Sequence, residues 1–224
     1  MQYNPPAGGN TITNSNRAPL ARGWRQHQHP NGDIYFHNDS LCLTTSDNVR
    51  DAATLHYILD ARADHIACLA DDPHAHRLPR DIELVVSEVT RHTAVIRMYS
   101  RSAHTAYRYA DRTGLRVAPP EEFWTHIAEF PSHHRALPPG AEAAFVAAVQ
   151  RAQTAVNAGA QYCFSERTIG QIVERYRELV LLREQGRDVV APLAWLVGVV
   201  MPLEPVGREA GGVNIDHILH ADWR

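Results

Sequence analysis

The sequence predicts an α+β protein: an N-terminal three-stranded antiparallel sheet, a connecting helix, a second small antiparallel sheet, and a mostly helical C-terminal half. Three observations carry this. Two aromatic-bearing runs, Trp24 to His29 and Asp33 to His37, flank Pro30-Asn31-Gly32, and Asn-Gly between such runs signals a hairpin. Residues 82–110 are rich in Val, Ile and Tyr, which suits strands. After Pro119-Pro120 the apolar residues recur at helical spacing, the pattern of a helix with one buried face.

Taken in order, residues 1–19 offer almost nothing to bury and are expected to be disordered. The hairpin follows, with Cys42 to Ser46 as a third strand. Asp47 is placed to cap a helix over about 49–69, whose stripe is Leu55, Ile58, Leu59, Ile66 and Leu69 and whose end is Asp71-Asp72-Pro73. Strands are expected over Ile82–Thr90, Thr93–Ser100 and His104–Ala110, with Gly114 ending the section. Pro119-Pro120 open a short helix that has Glu121 and Glu122 in its first turn. An Ala-rich helix over about 140–158 stops at Gly159, and Ser165 caps a long one ending at Gly186. The apolar run Val189–Leu203 is fifteen residues long and contains Pro192 and Pro202. A bilayer-spanning helix needs about twenty residues, so this run reads as a buried helix or an interfacial one. The expected segments are 1–19, a hairpin module at 20–48, helix plus sheet at 49–118, a helical region at 119–203, and a tail at 204–224.

Composition narrows the chemistry. All 22 basic residues are Arg, so Schiff-base chemistry and lysine-dependent phosphate binding have no residue to work with. The 14 His are enough to reverse the formal charge of −3 when protonated, which happens near pH 6.5 for an unperturbed imidazole. Cys42, Cys68 and Cys163 form no CxxC pair. Reduced thiols and a cytoplasmic or nuclear setting are the expectation. The N-terminus lacks the apolar core of a signal peptide.

The stretch Leu20-Ala21-Arg22-Gly23-Trp24, the His29-Pro30-Asn31-Gly32 loop, the pair Tyr35-Phe36 eleven residues after Trp24, and Thr44-Thr45 together resemble a WW domain. The resemblance covers about 30 residues. It implies a three-stranded twisted sheet that docks Pro-rich peptides, which are already extended and lose little entropy on binding. It places Trp24 and Phe36 as structural residues and Tyr35, Thr44 and His37 along the groove. The family's second Trp is Ser46 here and its closing Pro is Val49. Truncating such an aromatic wall typically costs over about 2 kcal/mol, so peptide binding is expected to be weakened. Over about residues 20–200 the chain is also weakly similar to uncharacterised WW-domain-containing proteins of mushroom-forming fungi, through Trp124-Thr125-His126-Ile127-Ala128-Glu129-Phe130-Pro131-Ser132-His133.

The expected role is therefore protein–protein interaction, as an adaptor or scaffold whose partner is a protein or Pro-rich peptide. Two alternatives come from other classes. Arg91, Arg97, Arg101, Arg108, Arg112 and Arg116 interleave with Tyr99, Tyr107 and Tyr109, an arrangement that holds single-stranded nucleic acid when displayed on one sheet face. A small enzyme with a His-based site is the other. His27 and His29 alternate on one strand opposite His37, and His74-x-His76 and His133-His134 are further pairs. Solvated faces are the expectation for all of them, and a three-nitrogen metal site is the alternative. GxSxG, HExxH, GxGxxG and Walker A motifs are missing. No catalytic residue, metal or cofactor is assigned.

Overall fold

The computed structural model describes residues 18–110, 113–160, 162–203 and 215–221. Their strands are β1 (Trp24–Gln28), β2 (Ile34–Asn38), β3 (Leu43–Thr45), β4 (Ile82–Ser87), β5 (Val95–Ser100), β6 (Thr105–Ala110) and β7 (Gly114–Val117). Their helices are α1 (Ala52–Ala70), α2 (Pro120–Glu129), α3 (Ala141–Asn157), α4 (Glu166–Glu184), α5 (Val190–Val200) and the single turn α6 (Asp216–Leu219). Among the described residues no helix is long and apolar enough to cross a membrane.

The hairpin forms as its turn residues require. Gly32 has φ +99°, a conformation that costs glycine little. His29 and Gly32 close the turn by a backbone hydrogen bond of 2.8 Å. β1, β2 and β3 pair antiparallel, with Trp24 opposite Asn38 and His37 opposite Thr44.

The two expected sheets are one. β3 pairs in parallel with β4, Leu43 against Leu84 and Thr44 against Val85, and the order runs β1 through β7 without a break. Parallel neighbours need a crossover of a dozen residues or more, and α1 supplies it. The sheet thus runs straight across the boundary expected at residue 48. The three-stranded hairpin unit is present but does not stand free. Three local expectations also change. The cap of α1 is Asp51, which accepts a hydrogen bond from the Thr54 N–H. Asp47 instead accepts one from the Val89 N–H. And β7, beyond the expected end of the sheet, pairs with β6. Residues 1–17, 204–214 and 222–224, which carry the expected disordered segment and most of the tail, lie outside the described residues.

Both sheet faces are covered. Alternate residues of a strand point to opposite faces, so Phe36, Leu84, Val86 and Met98 join Trp24, Leu43, Val49 and Ile58 in a core beneath α1. Tyr35, Val85, Tyr99 and Ala106 join a second core with Phe123, Trp124, Ile127 and Phe130 of the α2 region and Leu193, Trp195, Leu196 and Val197 of α5. The second core makes α2 a lid over the opposite face of the hairpin sheet.

Candidate metal centre

The lid fixes what the hairpin can do. α2 ends at the Phe130 cap, and Pro131 cannot continue it. The chain then drops onto the sheet. The Ser132 and His133 N–H groups donate to the Tyr35 hydroxyl at 2.6 and 2.9 Å, and the Ser132 hydroxyl donates to the Gln28 carbonyl at 2.6 Å. Tyr35 is 2% exposed, Thr44 0% and His37 8%. The three residues expected along an open peptide groove are therefore buried beneath this chain's own loop. An aromatic that binds a proline needs an open ring face; Tyr35 stacks on His27 at a centroid distance of 5.5 Å, meets Phe130 in a T-shaped contact at 5.2 Å, and gives its hydroxyl to the loop. Trp24 and Phe36 do occupy the core beneath α1.

The buried space beneath the lid is polar. Glu83, between Ile82 and Leu84 on β4, points up into it. One of its carboxylate oxygens, Oε1, accepts a hydrogen bond of 2.5 Å from the Thr44 hydroxyl. His133 Nε2 lies 3.1 Å from the same oxygen and His37 Nδ1 lies 3.9 Å away. The other oxygen, Oε2, faces His126 Nε2 at 3.5 Å and His134 Nε2 at 3.6 Å. Two ligand-sized triads result, His37–Glu83–His133 and Glu83–His126–His134, in each of which the ligand atoms lie within 4.8 Å of one another. Each ring is held in place. His126 stacks on Tyr99 at 3.9 Å with the rings nearly parallel, and His133 stacks on His37 at 4.2 Å.

Burial by itself raises the Glu83 carboxyl, but the facing His126 and His133 outweigh it and hold the group well below the usual carboxylate range. Burial lowers His37 to about 4 and His134 to about 2, with His133 adding to both. A neutral imidazole, which burial favours at His37 and His134, and an ionised carboxylate are protonation states that a metal ion requires of its ligands. The nitrogens aimed at Glu83 are poorly satisfied: His126 Nδ1 and Nε2, His133 Nε2 and His134 Nε2 are buried without an aligned hydrogen bond. A buried polar atom left this way costs about 1–3 kcal/mol.

The strand trio weighed from sequence does not converge. His29 donates from Nε2 to the Ala128 carbonyl at 2.8 Å, and its Nδ1 accepts the Asn31 N–H at 3.0 Å. His27 stacks on Tyr35. Only His37 of the three reaches the centre, together with His133 and His134 of the loop pair. Glu83 and His126 went unassigned. The interleaved Arg/Tyr face is also divided: Tyr99 is buried beneath α2, whereas Tyr107 and Tyr109 pack on the α1 side and Arg108 pairs with Glu122 at 2.6 Å. Arg112 lies outside the described residues. A separate open cavity of about 640 Å³, between the hairpin loop, α2 and α5, reaches Tyr35 and Val85 but not Glu83.

No protein-family model matches the chain, and neither a curated protein nor a solved structure matches it at a significant level.

Proposed function

We propose that this protein binds a divalent transition-metal ion at Glu83 and the imidazoles around it. The observation that carries the reading is the convergence of buried imidazole nitrogens, lacking aligned hydrogen bonds, on one buried carboxylate. A donor set of nitrogen and oxygen without thiolate suits Zn²⁺ or Fe²⁺. The three free cysteines are not part of the donor set. In this reading the WW-like hairpin serves the centre rather than a peptide. β2 and β3 supply Tyr35, His37 and Thr44 as its walls, and docking a Pro-rich segment on those residues would require lifting the loop that covers them.

Cobalt reports on such a site directly. Chelator-treated protein titrated with Co²⁺ is expected to develop visible d–d absorption and to gain about 3 kcal/mol of stability at a metal concentration one hundred times the dissociation constant. Glu83→Gln removes the charged ligand and is expected to abolish both. Cobalt that gives neither absorption nor a thermal shift with the unaltered chain at millimolar concentration contradicts the reading.

A further inference from the structure

Resting on that reading, we infer that the centre holds a single ion on the Oε2 side of Glu83, with His126 and His134 as its imidazole ligands, and that Tyr35, His133 and Thr44 are positioning residues on the Oε1 side. The division follows from where the protons must be. The Tyr35 oxygen accepts two backbone N–H groups, from Ser132 and His133, which fill its two lone pairs. Its own O–H is left to donate, and His133 Nδ1 stands 3.2 Å from it. A neutral imidazole that accepts at Nδ1 carries its proton on Nε2. His133 Nε2 lies 3.1 Å from Oε1, so that proton sits on the Oε1 side and the nitrogen has no lone pair to offer an ion there.

Thr44 closes the same side. Its hydroxyl donates to Oε1 at 2.5 Å and also contacts His37 Nδ1 at 2.8 Å, which ties up the nitrogen His37 turns toward the centre. Oε1 thus accepts from the Thr44 hydroxyl and faces the His133 N–H, whereas Oε2 faces two imidazole nitrogens, His126 Nε2 and His134 Nε2. Charge points the same way. One dication beside one carboxylate leaves a single net positive charge, and a second ion would leave three in a buried site, where such charges are costly to desolvate. The outcome is a two-imidazole, one-carboxylate set whose carboxylate is aimed by hydrogen bonds from behind, the way outer hydrogen bonds hold metal ligands elsewhere.

The test uses the full chain with ¹⁵N-labelled histidine, loaded with ¹¹³Cd²⁺. Cadmium–nitrogen coupling is expected at two imidazoles, one lost in His126→Leu and the other in His134→Leu, at one ion per chain. His133→Leu is expected to keep one ion while weakening affinity roughly 10–100-fold. His133→Gln, whose side-chain amide restores an N–H near Oε1, should recover to within a few-fold and retain both couplings. Coupling at His133, or two ions per chain, overturns the inference while leaving the metal centre in place. No cadmium bound by the unaltered chain overturns both.

Discussion

Gly198→Ala will lower stability by about 3 kcal/mol, a fall in melting temperature of roughly 6–12 °C for a chain of this size. Gly198 lies on α5 where that helix crosses α2. A Cβ there would stand 2.5 Å from the Ala128 nitrogen, 2.6 Å from the Trp124 carbonyl oxygen and 2.9 Å from the Ala128 Cα. All three are backbone atoms of one helix, so no side chain can swing aside and α2 must move as a unit. His126 lies between Trp124 and Ala128 on that helix, and its ring is pinned to Tyr99. Any shift therefore carries a proposed metal ligand with it, and Co²⁺ affinity should fall together with the melting temperature. A variant that melts within one degree of the parent chain would show that the two helices are not in close contact.

Acid will destabilise the metal-free protein well before ordinary carboxylates titrate. His37 and His134 have folded-state pKa values below that of a free imidazole, for which burial is the largest cause. A group depressed in this way contributes stability that is complete above about pH 6.5 and is lost as pH falls toward its folded value. For His37, moving from the ordinary value to about 4, the loss reaches about 2 kcal/mol by pH 5. His134 acts in the same direction and brings the expected total to roughly 2–4 kcal/mol. Glu83, raised by burial but held low by the facing His126 and His133, adds a further loss below the ordinary carboxylate range. Urea midpoints at pH 7 and pH 5 measure the effect, and equal midpoints would mean that these imidazoles are open to water.

Local signals made much of the fold readable. Asn31-Gly32 marked the hairpin, Pro119-Pro120 the start of α2, and Ser165 the start of α4, whose hydroxyl accepts the Thr168 N–H at 3.1 Å. The joining of the sheet was not readable, because parallel pairing of Leu43 with Leu84 links residues far apart and leaves no turn signature. β7 escaped because it has four residues and ends in Val117, which is 69% exposed. Asp47 is expected from sequence as the cap, but it is engaged by the Val89 N–H, some forty residues away, and Asp51 caps α1 instead.

The centre was partly written in the chain. Glu83 interrupts the run Ile82-Glu83-Leu84-Val85-Val86. Strands buried on both faces read as near-continuous apolar runs, and an acid inside one is expensive unless something meets it. That was the available signal. His126 and His133 stood in a quoted stretch, but their approach to Glu83 depends on α2 closing over the sheet. Tyr35, expected along a peptide groove, lies beneath the lid, where its hydroxyl accepts the Ser132 and His133 N–H groups of the covering loop.

Anomalous diffraction at the zinc edge from crystals of the zinc-loaded full chain puts the metal centre to its most direct test. The expected result is one strong peak about 2.0–2.2 Å from Glu83 Oε2 and from the Nε2 atoms of His126 and His134, with His133 turned to the other carboxylate oxygen. A map with no peak at Glu83, its imidazoles hydrogen-bonded to one another and to the carboxylate, would contradict it.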